Sequence, residues 1–72
     1  MTTMYELEIY GPDDMRACIS DFSSDTPFGA ISVGDLIPHE VEGALTVTRV
    51  IHMIFGSSKT LTHKIRIDTK KA

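Results

Sequence analysis

Three histidines, one cysteine and ten carboxylates are the side chains here that could hold a metal or move a proton. If His52 and His63 face each other across two strands, their imidazoles could share a zinc ion, with His39, Glu40 or Asp35 completing a tetrahedral set. Short ligand spacings such as His-x-x-x-His or Cys-x-x-Cys are missing, so a separate hydrogen bond for each imidazole is the plainer expectation. Cys18 with a histidine has the chemistry of a nucleophile and base, yet nothing in the spacing brings them together. A lone cysteine reads more simply as a small buried hydrophobe. Asp13-Asp14 and Glu40/Glu42 supply carboxylates for acid–base work, but they stand in turn-like contexts where acids are ordinarily solvated. Gly29 and Gly34 have P-loop spacing, but Asp35 occupies the place of the required lysine. We therefore expect no enzymatic activity and no cofactor.

Charge is the stronger signal. Residues 1–45 hold nine acids against the single base Arg16, while residues 46–72 hold six bases against the single acid Asp68. In so short a chain the two fields must pair with each other or point outward. Lys64 and Arg66 share one strand face, and with Lys59, Lys70 and Lys71 they form a basic stripe suited to phosphates. Against nucleic acid stand the net charge of −3 and the shortage of aromatics placed for stacking. The alternative is that the stripe lies beside Glu6 and Glu8, where cross-strand ion pairs absorb it.

The elements that must position these residues are strands. Leu45, Val47, Ile51, Met53 and Phe55 alternate with more polar neighbours. After Gly56-Ser57-Ser58 the alternation resumes through Leu61, Ile65 and Ile67. This predicts a β-hairpin. A three-residue loop at 56–58 pairs Phe55 with Lys59 and Ile51 with His63. A four-residue loop at 56–59 sets His52 opposite His63. The first separates the faces more cleanly and is preferred. Arg49 falls out of step, which a bulge near Thr48–Val50 explains; cover of the second half of the strand on two sides, by the core and by a second subunit, would also explain it. Residues 4–10 form another strand, with Tyr5, Leu7 and Ile9 inward and Glu6 and Glu8 outward. Gly11-Pro12-Asp13-Asp14 reads as a type I turn returning a strand over 15–22. The competing reading is a helix over about 12–22, with Met15, Cys18, Ile19 and Phe22 on one face. Ala30–Val33 is a short β-prone segment, Gly34-Asp35 a turn, and Pro38–Gly43 a loop.

The stretch Ile31-Ser32-Val33-Gly34-Asp35-Leu36-Ile37, with Pro27-Phe28 before it and Val50-Ile51-His52 after it, resembles a strand, Gly-Asp turn and apolar pair found in small SH3-like barrels. It also resembles a class of short uncharacterised bacterial β proteins. The resemblance implies a small β-barrel and no particular function.

Seventy-two residues make one domain with a marginal core. With Cys18 alone, no disulfide can form within the chain, and a lone thiol fits a reducing cytoplasm. The N-terminus lacks a signal-peptide pattern, and Met53-Ile54-Phe55 is the longest apolar run, too short for a membrane span. Self-association is the economical supplement to a small core. The expectation is a mainly β domain, a small antiparallel barrel or curled sheet of four to five strands. Its expected role is a non-catalytic interaction module that binds itself or another protein. Ile54 and Phe55 would anchor the contact, and Lys59, Lys64 and Arg66 would contribute charge. Binding of an anionic ligand or nucleic acid through the basic hairpin is the alternative.

Overall fold

The structure, a computed structural model, describes residues 2–72 and contains five strands. These are β1 (Thr2–Tyr10), β2 (Cys18–Ser24), β3 (Leu36–His39), β4 (Gly43–Gly56) and β5 (Thr60–Lys71). They form one sheet in the order β2-β1-β5-β4-β3. The chain is thus mainly β, as expected, but the sheet is mixed. β1 and β5 run parallel, while the other three pairings are antiparallel. The 12–22 helix does not form; residues 18–24 are β2 instead.

Alternation decides which side chains are buried. On β1, Leu7 and Ile9 stand beside Ile65 and Ile67 of β5. On β4, Leu45 and Val47 share this face, and Ile37 of β3 pairs with Leu45. Leu45, Val47, Ile9, Ile65 and Ile67 are the buried apolar residues among those described, with Leu7, Ile31, Ile37 and Val50 packed partly against them. The core therefore sits toward one end of a molecule 41 Å long and 19 Å across its shortest axis.

The predicted bulge is present. Val47 pairs with Thr69 and Arg49 with Asp68, leaving Thr48 as the extra residue. The inserted residue reverses the faces, so Val50, His52 and Ile54 continue the side begun by Leu45 and Val47. The reversal excludes the register of the three-residue loop, and the observed pairing is displaced by two residues from that of the four-residue loop at 56–59. Phe55 pairs with Thr62, Ile54 with His63 and His52 with Ile65. The turn is drawn tight by Ser57, whose amide donates to the Thr60 carbonyl at 2.8 Å while its hydroxyl accepts from the Thr60 amide at 3.2 Å.

Three local expectations are corrected. Residues 30–33 form no strand, because the Ser32 amide donates to Asp35 Oδ2 at 2.8 Å and the Asp35 amide donates to the Ser32 carbonyl at 3.0 Å. Those bonds fold the segment into a turn around Gly34, at φ 95°. Pro38 and His39 belong to β3 rather than to a loop, since proline is tolerated on an edge strand. The connection after β1 is longer than a type I turn: Gly11, at φ 93°, donates to the Ala17 carbonyl, and Ala17 to that of Asp14. A Cβ on Gly11 would lie 2.7 Å from the Thr69 carbonyl oxygen, so no other residue fits there without displacement.

Candidate functional site

Two features of the sheet follow from unequal strand lengths and from curvature. The first is the far half of β4. β3 pairs with β4 only from Gly43 to Thr46, and the loop before it adds two hydrogen bonds at Val47. From Thr48 to Gly56 the outer edge of β4 has no neighbouring strand among the described residues. Apolar side chains occupy both faces of this stretch. Ile54 is 69% exposed and Phe55 53% exposed, while Ile51 and Met53 are half-buried. Beyond Arg49 the edge carries no Lys, Arg, Asp or Glu, the residues that natural edge strands use to discourage pairing.

Of the basic stripe, Lys64, Arg66 and Lys70 lie on the opposite face of β5 from Ile65 and Ile67, Lys71 shares the parity of the core residues, and the parallel pairing with β1 brings acids to Lys64 and Arg66. Glu6 stands opposite Lys64 and Glu8 opposite Arg66. Lys64 Nζ is 3.5 Å from Glu6 and 3.8 Å from Glu8. Arg66 Nε donates to Asp68 Oδ1 at 3.1 Å, and its other nitrogen donates to the Met15 carbonyl at 2.9 Å. The guanidinium stacks 3.9 Å from the centre of the Tyr10 ring. Loss of solvent and the nearby Glu8 carboxylate push the Tyr10 phenol above its ordinary value, so it stays neutral through the physiological range. Asp68 is only 1% exposed, and its Oδ2 has no hydrogen-bond partner among the described residues. Lys71 reaches Glu42 at 3.3 Å. Lys59 is exposed at the hairpin tip and Lys70 is exposed on β5, neither with an ion pair among the described residues.

The histidines divide. His52 Nδ1 and His63 Nε2 lie 3.0 Å apart with their rings stacked, and Tyr5 meets His63 edge-on. They meet diagonally across the hairpin, not directly opposite each other as the four-residue loop would have placed them. His39 lies elsewhere, at the edge of the sheet on β3. Among the described residues no three His, Cys, Asp or Glu side chains gather closely enough to hold a metal. Cys18, anticipated as buried, is exposed at the start of β2, with its thiol directed to the Ser20 carbonyl.

The second feature is a clasp that nothing in the sequence announces. The sheet curls so far that its two edge strands approach each other. Ser20 Oγ of β2 comes within 2.9 Å of His39 Nε2 of β3, nineteen residues on. A serine against a histidine suggests a nucleophile and its base, but the tautomer is wrong for that. His39 Nδ1 accepts from the amides of Val41 at 3.2 Å and Glu42 at 3.0 Å. The neutral ring must then carry its proton on Nε2 and donate it to Ser20. A base would have to accept there. The pair fastens the curl; it is not arranged to activate the hydroxyl.

Comparison with protein-family models, with curated proteins and with solved structures finds no match to this chain. None of the described residues forms a helix long and apolar enough to cross a membrane.

Proposed function

We propose that the protein is a non-catalytic interaction module that pairs with a second copy of itself through the open edge of β4. The observation that carries this reading is the unpartnered strand from Thr48 to Gly56, apolar on both faces. Val50–Phe55 is a six-residue run of high β-propensity without proline or charge beyond His52. Left bare, such a segment invites uncontrolled pairing. An antiparallel β4–β4 contact about a two-fold axis satisfies the free backbone groups of both edges. It also buries Ile54 and Phe55 against their counterparts. Closing the pair symmetrically leaves no edge for further addition at that position. A reducing cytoplasm suits the role, since an exposed Cys18 is open to oxidation elsewhere.

Capture of an anion or nucleic acid by the basic hairpin is the alternative. The ion pairs weigh against it: a phosphate at Lys64 has to displace Glu6 and Glu8, and one at Arg66 has to compete with Asp68.

Sedimentation over a wide concentration range tests the pairing. The wild type is expected to pass from monomer to dimer. Ile54→Lys is expected to sediment as a monomer throughout, with an unchanged far-UV circular dichroism spectrum, because the side chain it replaces is largely in water. A wild type that stays monomeric at millimolar concentration would overturn the reading.

A further inference from the structure

The curl that brings Ser20 to His39 also shapes an open cleft of about 760 Å³ between β2 and β3. This falls inside the range of roughly 300–1,000 Å³ typical of small-molecule sites. Its walls are mostly apolar, with Leu7, Ile9, Phe22, Ile31 and Ile37 among them, and Ser20, Asp35, His39 and Glu40 supply the polar part. Phe22 lies on the core side of the sheet, paired with Leu7, yet remains 51% exposed. The chain itself thus leaves much of this wall uncovered.

One polar group in the cleft is unspent. With His39 donating from Nε2, one lone pair of the Ser20 hydroxyl is engaged, and among the described residues its own hydrogen meets no acceptor. It is a donor at the wall of an apolar cleft. The charges nearby select further. Asp35 and Glu40 both line the cleft, and Asp35 is held in place by the Ser32 amide. Carboxylates and phosphates are repelled from such a mouth. No cationic side chain lines it.

We propose that this cleft binds a small, uncharged, largely apolar molecule bearing a carbonyl oxygen, which accepts the Ser20 hydrogen while the apolar remainder covers Phe22 and Ile37. The site is independent of the β4 edge, since the cleft opens between the other two edge strands. His39 sets the direction of the bond: its two backbone amides fix the tautomer, the tautomer makes Ser20 a donor to the cleft, and the donor selects an acceptor ligand.

The test uses the full chain and Prodan, an uncharged naphthyl ketone whose emission shifts to the blue in apolar surroundings. Titration is expected to give saturable binding at one probe per chain. An uncharged alkyl ketone should displace the probe, and an alkanoate of the same length should not. Ser20→Ala is expected to weaken the ketone about tenfold, the value of one neutral hydrogen bond. An alkylnaphthalene without the carbonyl, which reports any loosening of the cleft when the clasp is lost, should lose much less affinity than the ketone. Ser20→Thr, which keeps the hydroxyl, should retain ketone binding and controls for damage to the fold. Ile54→Lys should bind the probe like the wild type.

Absence of saturable binding to the wild type would overturn the proposal, as would equal ketone affinity in Ser20→Ala. Loss of binding in Ile54→Lys would place the probe on the β4 edge and overturn it too. Binding that fades as protein concentration rises would seat a second copy in the cleft instead. Because the Ile54→Lys monomer is tested separately, failure here leaves the dimer reading standing, and failure of the dimer leaves this one.

Discussion

Replacing Arg66 by methionine is expected to destabilise the domain by about 3 kcal/mol, although Arg66 itself is partly in water. The loss lies in Asp68, which is 1% exposed and whose Oδ2 already lacks a partner. Arg66 Nε supplies the one side-chain bond to its other oxygen. Taking away one member of a buried ion pair strands the remaining charge, at a cost of about 3–5 kcal/mol. The low end applies because the Arg66 side chain keeps 30% of its surface exposed, so water can enter as it leaves. The same substitution removes the bond to the Met15 carbonyl and the stack on Tyr10. A domain this small has a core worth on the order of 3–5 kcal/mol, so the single variant should show little or no cooperative unfolding in urea. The double variant Arg66→Met with Asp68→Leu should recover much of the loss, because the stranded charge is gone. If the single variant unfolds at the wild-type urea midpoint, the carboxylate is not buried as described.

The second large effect concerns Ile67, which is fully buried between Ile9 on β1 and Val50 on β4. Ile67→Ala is expected to cost about 3–4 kcal/mol, within the range of about 2–5 for deleting a fully packed aliphatic side chain. Ile54→Ala on the neighbouring strand should cost less than about 0.5 kcal/mol in the monomer, because most of that side chain is already hydrated. Both are strand isoleucines with apolar neighbours. Thermal unfolding at low protein concentration separates them, and similar costs at the two positions would contradict the placement of the core at one end of the sheet.

Local pattern exposed some of this and hid the rest for identifiable reasons. The alternation of residues 4–10, the turn after Phe55 and the bulge beside Arg49 were all legible, because each is written within a few adjacent side chains. The pairing of Lys64 with the Glu6 and Glu8 strand was legible as one of two readings, through charge alone. The hairpin register was not. It turns on whether Ser57 and Thr60 enter the ladder, which their hydroxyls and amides settle in space. Once Thr48 reverses the faces, a register that groups Ile51 and Met53 with Ile65 no longer serves the core. Pro38 hid β3, since proline signals a loop unless the strand is known to be an edge. The parallel β1–β5 pairing, and with it the cleft and the Ser20–His39 clasp, depends on contacts distant in sequence and on curvature. No window of neighbouring residues carries that information.

The parallel pairing also governs how the chain must be made. β5 lies in the middle of the sheet, between β1 and β4, yet it is the last of the five strands to be synthesised. Until it emerges from the ribosome, β1–β2 and β3–β4 are two separate hairpins without the strand that joins them. Ile9, Leu45 and Val47 then stand bare to solvent. Native structure is therefore expected to form only after β5 is available, on the millisecond-to-second scale common to sheets built from non-local contacts. Before then the nascent chain exposes the apolar faces that make partly folded chains prone to aggregate, and a chain stopped before Thr60 is expected to lack the strand that joins its two hairpins.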